Sequence, residues 1–400
     1  MQVAPVSAFR AAMAGIEMLN ETHQPTLADC CRDADLGARI LAIHSQLAGF
    51  CPAIRRIAVA VYDPGTQIVR TFLRSSADID ELTCYERPLD EVPSLQALAI
   101  QRQPRIIDDL VTLAGSTSEH TLRILASGYE SSFTVPLFSG TQLLGFLFFD
   151  ADRKSVFTSP LVAQLMVYSQ LIALLVAHDR TTINTLLGAV RTAMHFSRFR
   201  DEETGAHLAR MSHYAKVIAV ALPPVIRLSD EAIEYLLHFA PLHDVGKIAV
   251  SDGILRKRGR LTEEERAIMR THVDHGASLI DAMLGEFGLA ELHHVPMLRN
   301  IILHHHENFD GTGYGTGLAG EDIPLEARIV KVADVFDALT SDRPYKRPWS
   351  VDDAFDYLEE HAGTQFDPVC VEALAAERCK VVAIRERFQD APEPELATAH

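Results

Sequence analysis

Apolar residues in the first part of the chain come in short runs cut by turn formers. IRRIAVAVYD ends at Pro64-Gly65, FTVPLF ends at Ser139-Gly140, and LLGFLFFD follows at once. This punctuation predicts antiparallel strands within residues 54–150, the last two joined as a hairpin around Ser-Gly-Thr. Helical periodicity flanks them, at roughly 7–20 and 27–49 and again from Pro160 onward, so this half reads as α+β. Ser159 before Pro160 is a helix start, because the serine side chain can cap and the N–H that proline lacks is not needed in a first turn.

From Pro160 to about Arg200 the periodicity hardly breaks. Leu161, Leu165, Tyr168, Ile172 and Leu175 alternate in steps of four and three, and Ile183, Leu187, Val190 and Met194 repeat this in a shifted phase after Asp179-Arg180. A long helix between two modules must bury such a stripe, and a second copy in a parallel homodimer is the expected partner. Leu161 to Ala177 carries no charge and reaches the lower length limit for a bilayer span. It also contains Gln164, Ser169 and Gln170 and has no basic cluster at either end, which favours a packed helix over a membrane span. Beyond residue 200 the pattern is helical with polar loops. Thr262 and Glu265 form a capping box that opens one helix, and the residues from Gln389 read as a frayed tail.

Composition narrows the function. The 400 residues are 48% apolar and 23% charged, ordinary globular usage in a length that suits more than one domain. A net charge of −17, from 37 basic and 54 acidic residues, argues against an extended nucleic-acid partner but leaves room for a small anion in a local basic pocket. Six cysteines without CxxC spacing, and an opening MQVAPVSAFRAAM without the pattern of a signal peptide, lead to the expectation of a cytoplasmic protein.

The candidate chemistry lies in the second half, where twelve of the 18 histidines fall between 195 and 306. Imidazole is the commonest protein ligand for metals, so this clustering suggests ligation. His195, His213, His275, His293 and His294 lack a carboxylate in a clear ligand pattern and read as surface or core residues, and His238 with Glu234 reads as a helix-surface pair. Other positions are better placed. Glu203 and His207 are four apart, on one helical face. His243-Asp244 in LHDVGK sets imidazole beside carboxylate, with Lys247 about a turn later. His272 follows, then His304-His305-His306-Glu307, and finally Asp334 and Asp337, one turn apart on an otherwise apolar helix. A carboxylate on such a helix is costly unless paired or bound to metal. Donors from five segments resemble a polynuclear hydrolytic site more than a structural zinc, which closes with four Cys or His ligands.

LHDVGK, the downstream HHE, FDGTGYG and RIVKVADVFDALTSDRPYK together resemble the HD-GYP subgroup of the HD phosphohydrolases, over about residues 185–385. The resemblance implies an all-α domain that degrades the bacterial messenger cyclic di-GMP to the linear dinucleotide pGpG, with GMP after a second cut. It implies metal ligands at Glu203, His207, His243, Asp244, His272, His305, His306 and Asp334, with Asp244 the shared carboxylate and His304 outside the ligand pair. Lys247 would face the substrate phosphate, and Tyr314, Arg343 and Lys346 would contact the dinucleotide. Two or three divalent ions are implied, iron or manganese with zinc as an alternative, the acidic Glu203 pointing to three. The family's GYP is Gly313-Tyr314-Gly315 here, so the loop lacks its stiffening proline. The first half, with YESSFTVPLF, a hairpin and LLGFLFFD, resembles a GAF domain, a sensor fold that binds a small ligand.

The expected organisation is therefore multidomain: a GAF-like α+β domain over 1–160, a connecting and dimerising helix over 161–200, the HD-GYP domain over 201–388 and a tail over 389–400. Two alternatives stay open: an HD phosphohydrolase of another cyclic nucleotide, and a receptor or scaffold that binds cyclic di-GMP or a signalling protein without turnover.

Overall fold

The computed structural model describes residues 35–75, 84–113, 119–197, 205–257, 259–289, 292–341 and 347–389. Helix α1 (Leu36–Phe50) starts where the Asp35 side chain accepts from the Ala38 N–H, inside the helix expected at 27–49; the helix expected at 7–20 lies outside the described residues. Strand β1 (Ile54–Asp63) coincides with IRRIAVAVYD, and β5 (Ser131–Ser139) and β6 (Gln142–Ala151) form the expected hairpin, with Ser139 opposite Gln142. Between them lie β2 (Ile68–Arg74), β3 (Glu86–Pro88), helix α2 (Pro93–Gln101), β4 (Arg105–Ile107) and helix α3 (Glu119–Ala126). All neighbours in the six-stranded sheet are antiparallel, in the order β3-β2-β1-β6-β5-β4.

One face of the sheet packs on α1 and on α4 (Ser159–Ser197), burying Leu47, Ile57, Phe133, Phe149 and Leu165. The other face buries Ala58, Ala60, Leu95, Phe146 and Phe148 under α2. Both faces are covered, so the strands are apolar almost throughout instead of alternating.

Helix α4 is a single 39-residue element that continues through Asp179-Arg180. Both charges have partners there: Asp179 accepts from the Tyr235 hydroxyl, and Arg180 donates to the Tyr62 carbonyl at 3.2 Å. The stripe assigned to a partner chain faces its own subunit. Leu165, Ile172, Ile183, Leu187 and Val190 are buried in the intrachain core, with Leu161, Tyr168 and Leu175 packed at its margin. The open face lies on the opposite side, where Val167 and Leu174 are 66% and 69% exposed beside Leu171. Sequence periodicity reveals a stripe but not which neighbour covers it.

The second half is helical: α5 (Gly205–Ala221), α6 (Asp230–Phe239), α7 (Asp252–Leu255), α8 (Glu263–Arg270), α9 (His272–Phe287), α10 (Val295–His304), α11 (Leu325–Thr340), α12 (Val351–Glu360), α13 (Pro368–Ala376) and α14 (Arg378–Arg387). The Thr262–Glu265 capping box opens α8 with both reciprocal bonds present. Helix α5 runs through the middle of this half, its Tyr214 ring edge-on to Phe336 of α11. The core is continuous with that of the sheet half: Phe72 of β2 meets Tyr235 of α6 with ring centres 6.3 Å apart.

Candidate metal centre

His243 and Asp244 stand at a tight turn between two 3-10 segments, Ala240–Leu242 and Val245–Ala249. Gly246 explains why this turn reaches the donors on α9. A Cβ there would lie 1.8 Å from the His272 carbonyl and 2.4 Å from the Gly276 amide, so only glycine lets the backbones touch. The His-Asp pair is thereby pressed against His272, while α10 delivers His305 and His306 at its C-terminal end.

Two sets of donors result. Asp244, His272, His305 and His306 offer ligand atoms within 4.8 Å of one another, and His207, His243 and Asp334 do the same. The Asp244 carboxylate joins them. Its Oδ2 lies 3.1 Å from His243 Nε2, while its Oδ1 lies 3.0 Å from His272 Nε2 and 3.5 Å from His305 Nε2. On the other side, Asp334 Oδ1 is 3.9 Å from Nε2 of both His207 and His243.

The imidazoles are held by their opposite nitrogens. Nδ1 of His243 faces the Ala240 carbonyl at 2.9 Å, that of His272 the Met269 carbonyl at 2.8 Å, and that of His305 the Ile301 carbonyl at 2.9 Å. A carbonyl accepts only from N–H, so each Nε2 lone pair points inward, the tautomer a metal requires. His207 is held by a side chain instead: its Nδ1 lies 2.7 Å from Oδ2 of the fully buried Asp337. Arg210 grips the same carboxylate at 2.6 and 3.0 Å, and the Ser341 hydroxyl donates to it at 2.9 Å. The buried Nε2 atoms of His272 and His305 and Oδ1 of Asp244 form no hydrogen bond among the described residues, despite their close approach. Converging buried donors of this kind are costly alone and fit a shared cation.

Electrostatics agree. Burial works to raise the Asp244 carboxyl, but the Lys247 ammonium, 2.7 Å from Oδ2, and His243 hold it well below the usual carboxylate range. Burial lowers His305 and His306, keeping both neutral and able to ligate. Asp337 is likewise pushed up by burial, and its bonds to His207 and Arg210 bring it below the ordinary value. Burial brings Lys331, one turn before Asp334, down to about 8.

At the mouth of the site the Tyr314 ring stacks on His306 with centres 4.5 Å apart, and the Arg270 guanidinium of α8 lies 5.1 Å from the ring centre. The loop that carries Tyr314 is fixed from below. Oε1 of the buried Glu307 accepts from the Thr316 and Gly317 amides at 2.6 and 2.7 Å. His304 points to this loop, its Nδ1 3.2 Å from the Thr316 hydroxyl, and is not a donor in either set. Gly315 has φ +138, and a Cβ would lie 2.6 Å from the Leu303 carbonyl. Proline cannot adopt that angle. The glycine does more than loosen the loop: it permits a backbone course that the family proline would forbid.

Of the expected site residues, His207, His243, Asp244, His272, His305, His306 and Asp334 come together, with Lys247 and Tyr314 beside them. Glu203, Arg343 and Lys346 lie outside the described residues. Arg210, Arg270 and Lys331 are not legible in the sequence as site residues. Asp337 stands out there, but its role as the orienter of His207 follows only from the fold. The signal for Arg210 is its position, one helical turn after His207 on the same helix.

Residues 199–370 match the family model described as HD domain. This half of the protein is thus similar to HD domains. It is 43% identical over 213 residues to the cyclic di-GMP phosphodiesterase response regulator RpfG of Xanthomonas campestris pv. campestris, covering 53% of this chain and 52% of that protein. It is 40% identical over 230 residues to a cyclic di-GMP phosphodiesterase of Vibrio cholerae, covering 56% and 46%. Identity to a 3′3′-cGAMP-specific phosphodiesterase 2 of Vibrio cholerae is 36% over 191 residues, covering 48% and 34%. The chain spans about half the length of the first two relatives. Among solved structures, a GAF domain/HD domain protein from Geobacter sulfurreducens overlaps 37% of this chain and 95% of its own, with 20% identity and a TM-score of 0.31. An overlap that loose defines no shared fold, and the α+β character of the first half rests on its own strand order.

Proposed function

We propose that the protein is a metal-dependent phosphodiesterase that hydrolyses cyclic di-GMP to pGpG, with GMP after a second cut. The observation that carries this reading is the single Asp244 carboxylate set between two groups of inward-facing imidazoles, under an aromatic platform at Tyr314. His272, His305 and His306 would hold one ion and His207, His243 and Asp334 a second, with Asp244 shared; Glu203 would supply a third. Mixed imidazole and carboxylate donors suit iron or manganese and accommodate zinc. When bound, such ions act as Lewis acids and lower the pKa of water from about 16 toward 7.

The chain's own residues do the rest. Asp244 stays ionised and draws Lys247 to the rim of the centre, where its ammonium can meet phosphate oxygens as charge builds on them. Tyr314, held between contacts with His306 and Arg270, would touch the dinucleotide. Arg343 and Lys346 would hold the second phosphate. Anaerobic purification with metal analysis, followed by chromatography of products from cyclic di-GMP, tests the reading, and absence of turnover with the metals loaded would sink it. Relatives named for 3′3′-cGAMP favour including that nucleotide in the assay, since base contacts and not metal donors discriminate between the two. Binding without turnover would favour the receptor reading, with a signalling protein as the downstream partner.

The same reading makes the first half a GAF-like sensor of a small ligand and the protein a cytoplasmic homodimer. Helix α4 has the length and apolarity of a membrane span, but one face is packed on the sheet and α1. Its open positions Val167, Leu171, Leu174, His178, Thr181, Thr185 and Gly188 follow a three-four spacing suited to a parallel coiled coil. Leu174→Asp should give folded monomers in sedimentation, whereas Ile172→Asp should unfold the sheet half. A Leu174→Asp dimer of unchanged affinity would count against this face.

A further inference from the structure

A cleft of about 480 Å³ separates the β2–β3 edge of the sheet from helices α5, α6 and α14 of the HD domain. It shares no lining residue with the metal donors. Its walls carry six cationic side chains, Arg70, Arg87, Arg123, Lys216, Lys380 and Arg387, against three carboxylates, Glu86, Asp230 and Glu234. This local positive excess stands on a chain whose net charge is −17. Part of the charge fixes the cleft itself: Lys216 pairs with Glu86 across it, and Arg70 lies 3.3 Å from Glu234. Arg87 and Arg123 flank the Tyr85 ring at 5.8 and 5.6 Å, and Arg387 lies 5.3 Å from the Phe388 ring centre. Between these cations run apolar surfaces from Ile68, Val217, Val220, Ile233 and Ile384. Apolar walls beneath a cationic rim fit a flat ring that carries a phosphate. Among the described residues, the cavity over Ala58, Ala60, Leu95 and Phe148 on the outer face of the sheet is only about 20 Å³, too small for such a molecule.

The cleft also adjoins the mounting of one metal donor. The Phe388 carbonyl in its wall accepts from Arg210 at 2.8 Å, and the Phe388 ring packs on His213 at 4.8 Å. Arg210 holds Asp337, and Asp337 holds His207. A ligand that moves the end of α14 therefore pulls on His207, an imidazole mounted on a side chain. We propose that this cleft is an effector site for a mononucleotide-sized organic phosphate, whose occupancy is transmitted to His207 through Phe388, Arg210 and Asp337. The site deepens the sensor reading by locating its ligand between the halves, and the effect on turnover rests on the phosphodiesterase reading.

The test uses GMP as probe on the full, manganese-loaded chain. Calorimetric titration should find two GMP sites, one at the metal centre and one in the cleft, the second weakening as salt is raised. Lys380→Glu with Arg387→Glu should abolish only the second, leave basal hydrolysis of bis-p-nitrophenyl phosphate unchanged and remove the part of the change in manganese affinity, measured by electron paramagnetic resonance, that follows occupancy of the second site. Arg87→Glu attacks the opposite wall and should do the same if the double variant does not fold. A single GMP site untouched by either charge reversal would overturn the site. Two sites with the same manganese affinity at saturating GMP in the native and charge-reversed chains would overturn the coupling. Both measurements are made without cyclic di-GMP, so they decide the site and the coupling even if the enzyme does not turn that nucleotide over.

Discussion

The two donor groups are built differently. In the group around His272, both His272 and His305 are oriented by backbone carbonyls at 2.8 and 2.9 Å. In the other, His243 faces the Ala240 carbonyl in the same way, but His207 is oriented by Asp337, which is itself held by Arg210 and Ser341. A backbone mounting is set once the helices fold and is insensitive to substitution, whereas a side-chain mounting can be loosened or pulled by its neighbours. On the proposed metal chemistry, the His272 group would hold its ion rigidly, while the ion at His207 would be open to adjustment through Asp337.

The severest challenge to this comparison falls on the residue the groups share. Asp244→Asn removes the negative charge shared by the two donor groups, so on the proposed function turnover of cyclic di-GMP should fall by on the order of a thousandfold or more, with metal binding lost at both groups and the circular dichroism of the helices preserved. Near wild-type turnover would remove Asp244 from its bridging place. Asp337→Asn should separate the groups: metal affinity at the His207 group and turnover should fall by about ten- to a hundredfold, the range for an outer partner of a metal ligand, while metal at the His272 group stays. Equal loss from both, measured as metal per chain after graded chelation, would dissolve the distinction. Glu203→Ala should lower metal content by one ion and leave the pair in place; unchanged content would argue against a third ion.

Smaller effects lie further out. Gly315→Pro forces the loop off φ +138 and should raise the KM for cyclic di-GMP several-fold without changing metal content; improved turnover would mean that the loop tolerates the family's course. The least effect on the site belongs to Glu234, which ties α6 to β2. Burial opposes its charge, but the His238 hydrogen bond and Arg70 bring it down to about 2 from an ordinary 4.5. A depressed carboxyl stabilises the fold above its unfolded value and loses that contribution as pH falls through the folded one. Stability followed by thermal melts should therefore drop between about pH 4.5 and 2 by up to roughly 3 kcal/mol, and Glu234→Gln should flatten that slope while metal content at neutral pH is unchanged.

The sequence by itself determined what local chemistry can encode. LHDVGK, the three consecutive histidines and the helix of Asp334 announce ligands because their types and spacing are unusual, and the β5–β6 hairpin is written in a Ser-Gly-Thr turn. Strands β2, β3 and β4 were less legible: β3 and β4 are three residues long, and β2 mixes Arg and Thr into its apolar run. The stripe of α4 was visible, but its neighbour was not, since Ile172 could meet a second chain or its own sheet with the same periodicity. Spacing alone left the two carboxylates of α11 equivalent; the family resemblance implied Asp334 as a ligand, and only the tertiary structure shows Asp337 as the orienter of His207. Asp334 and Asp337 lie one turn apart on one helix, yet the first faces the imidazoles and the second faces Arg210, 127 residues away in the chain. Local spacing fixes where a side chain leaves its helix; only packing of distant segments fixes what it meets.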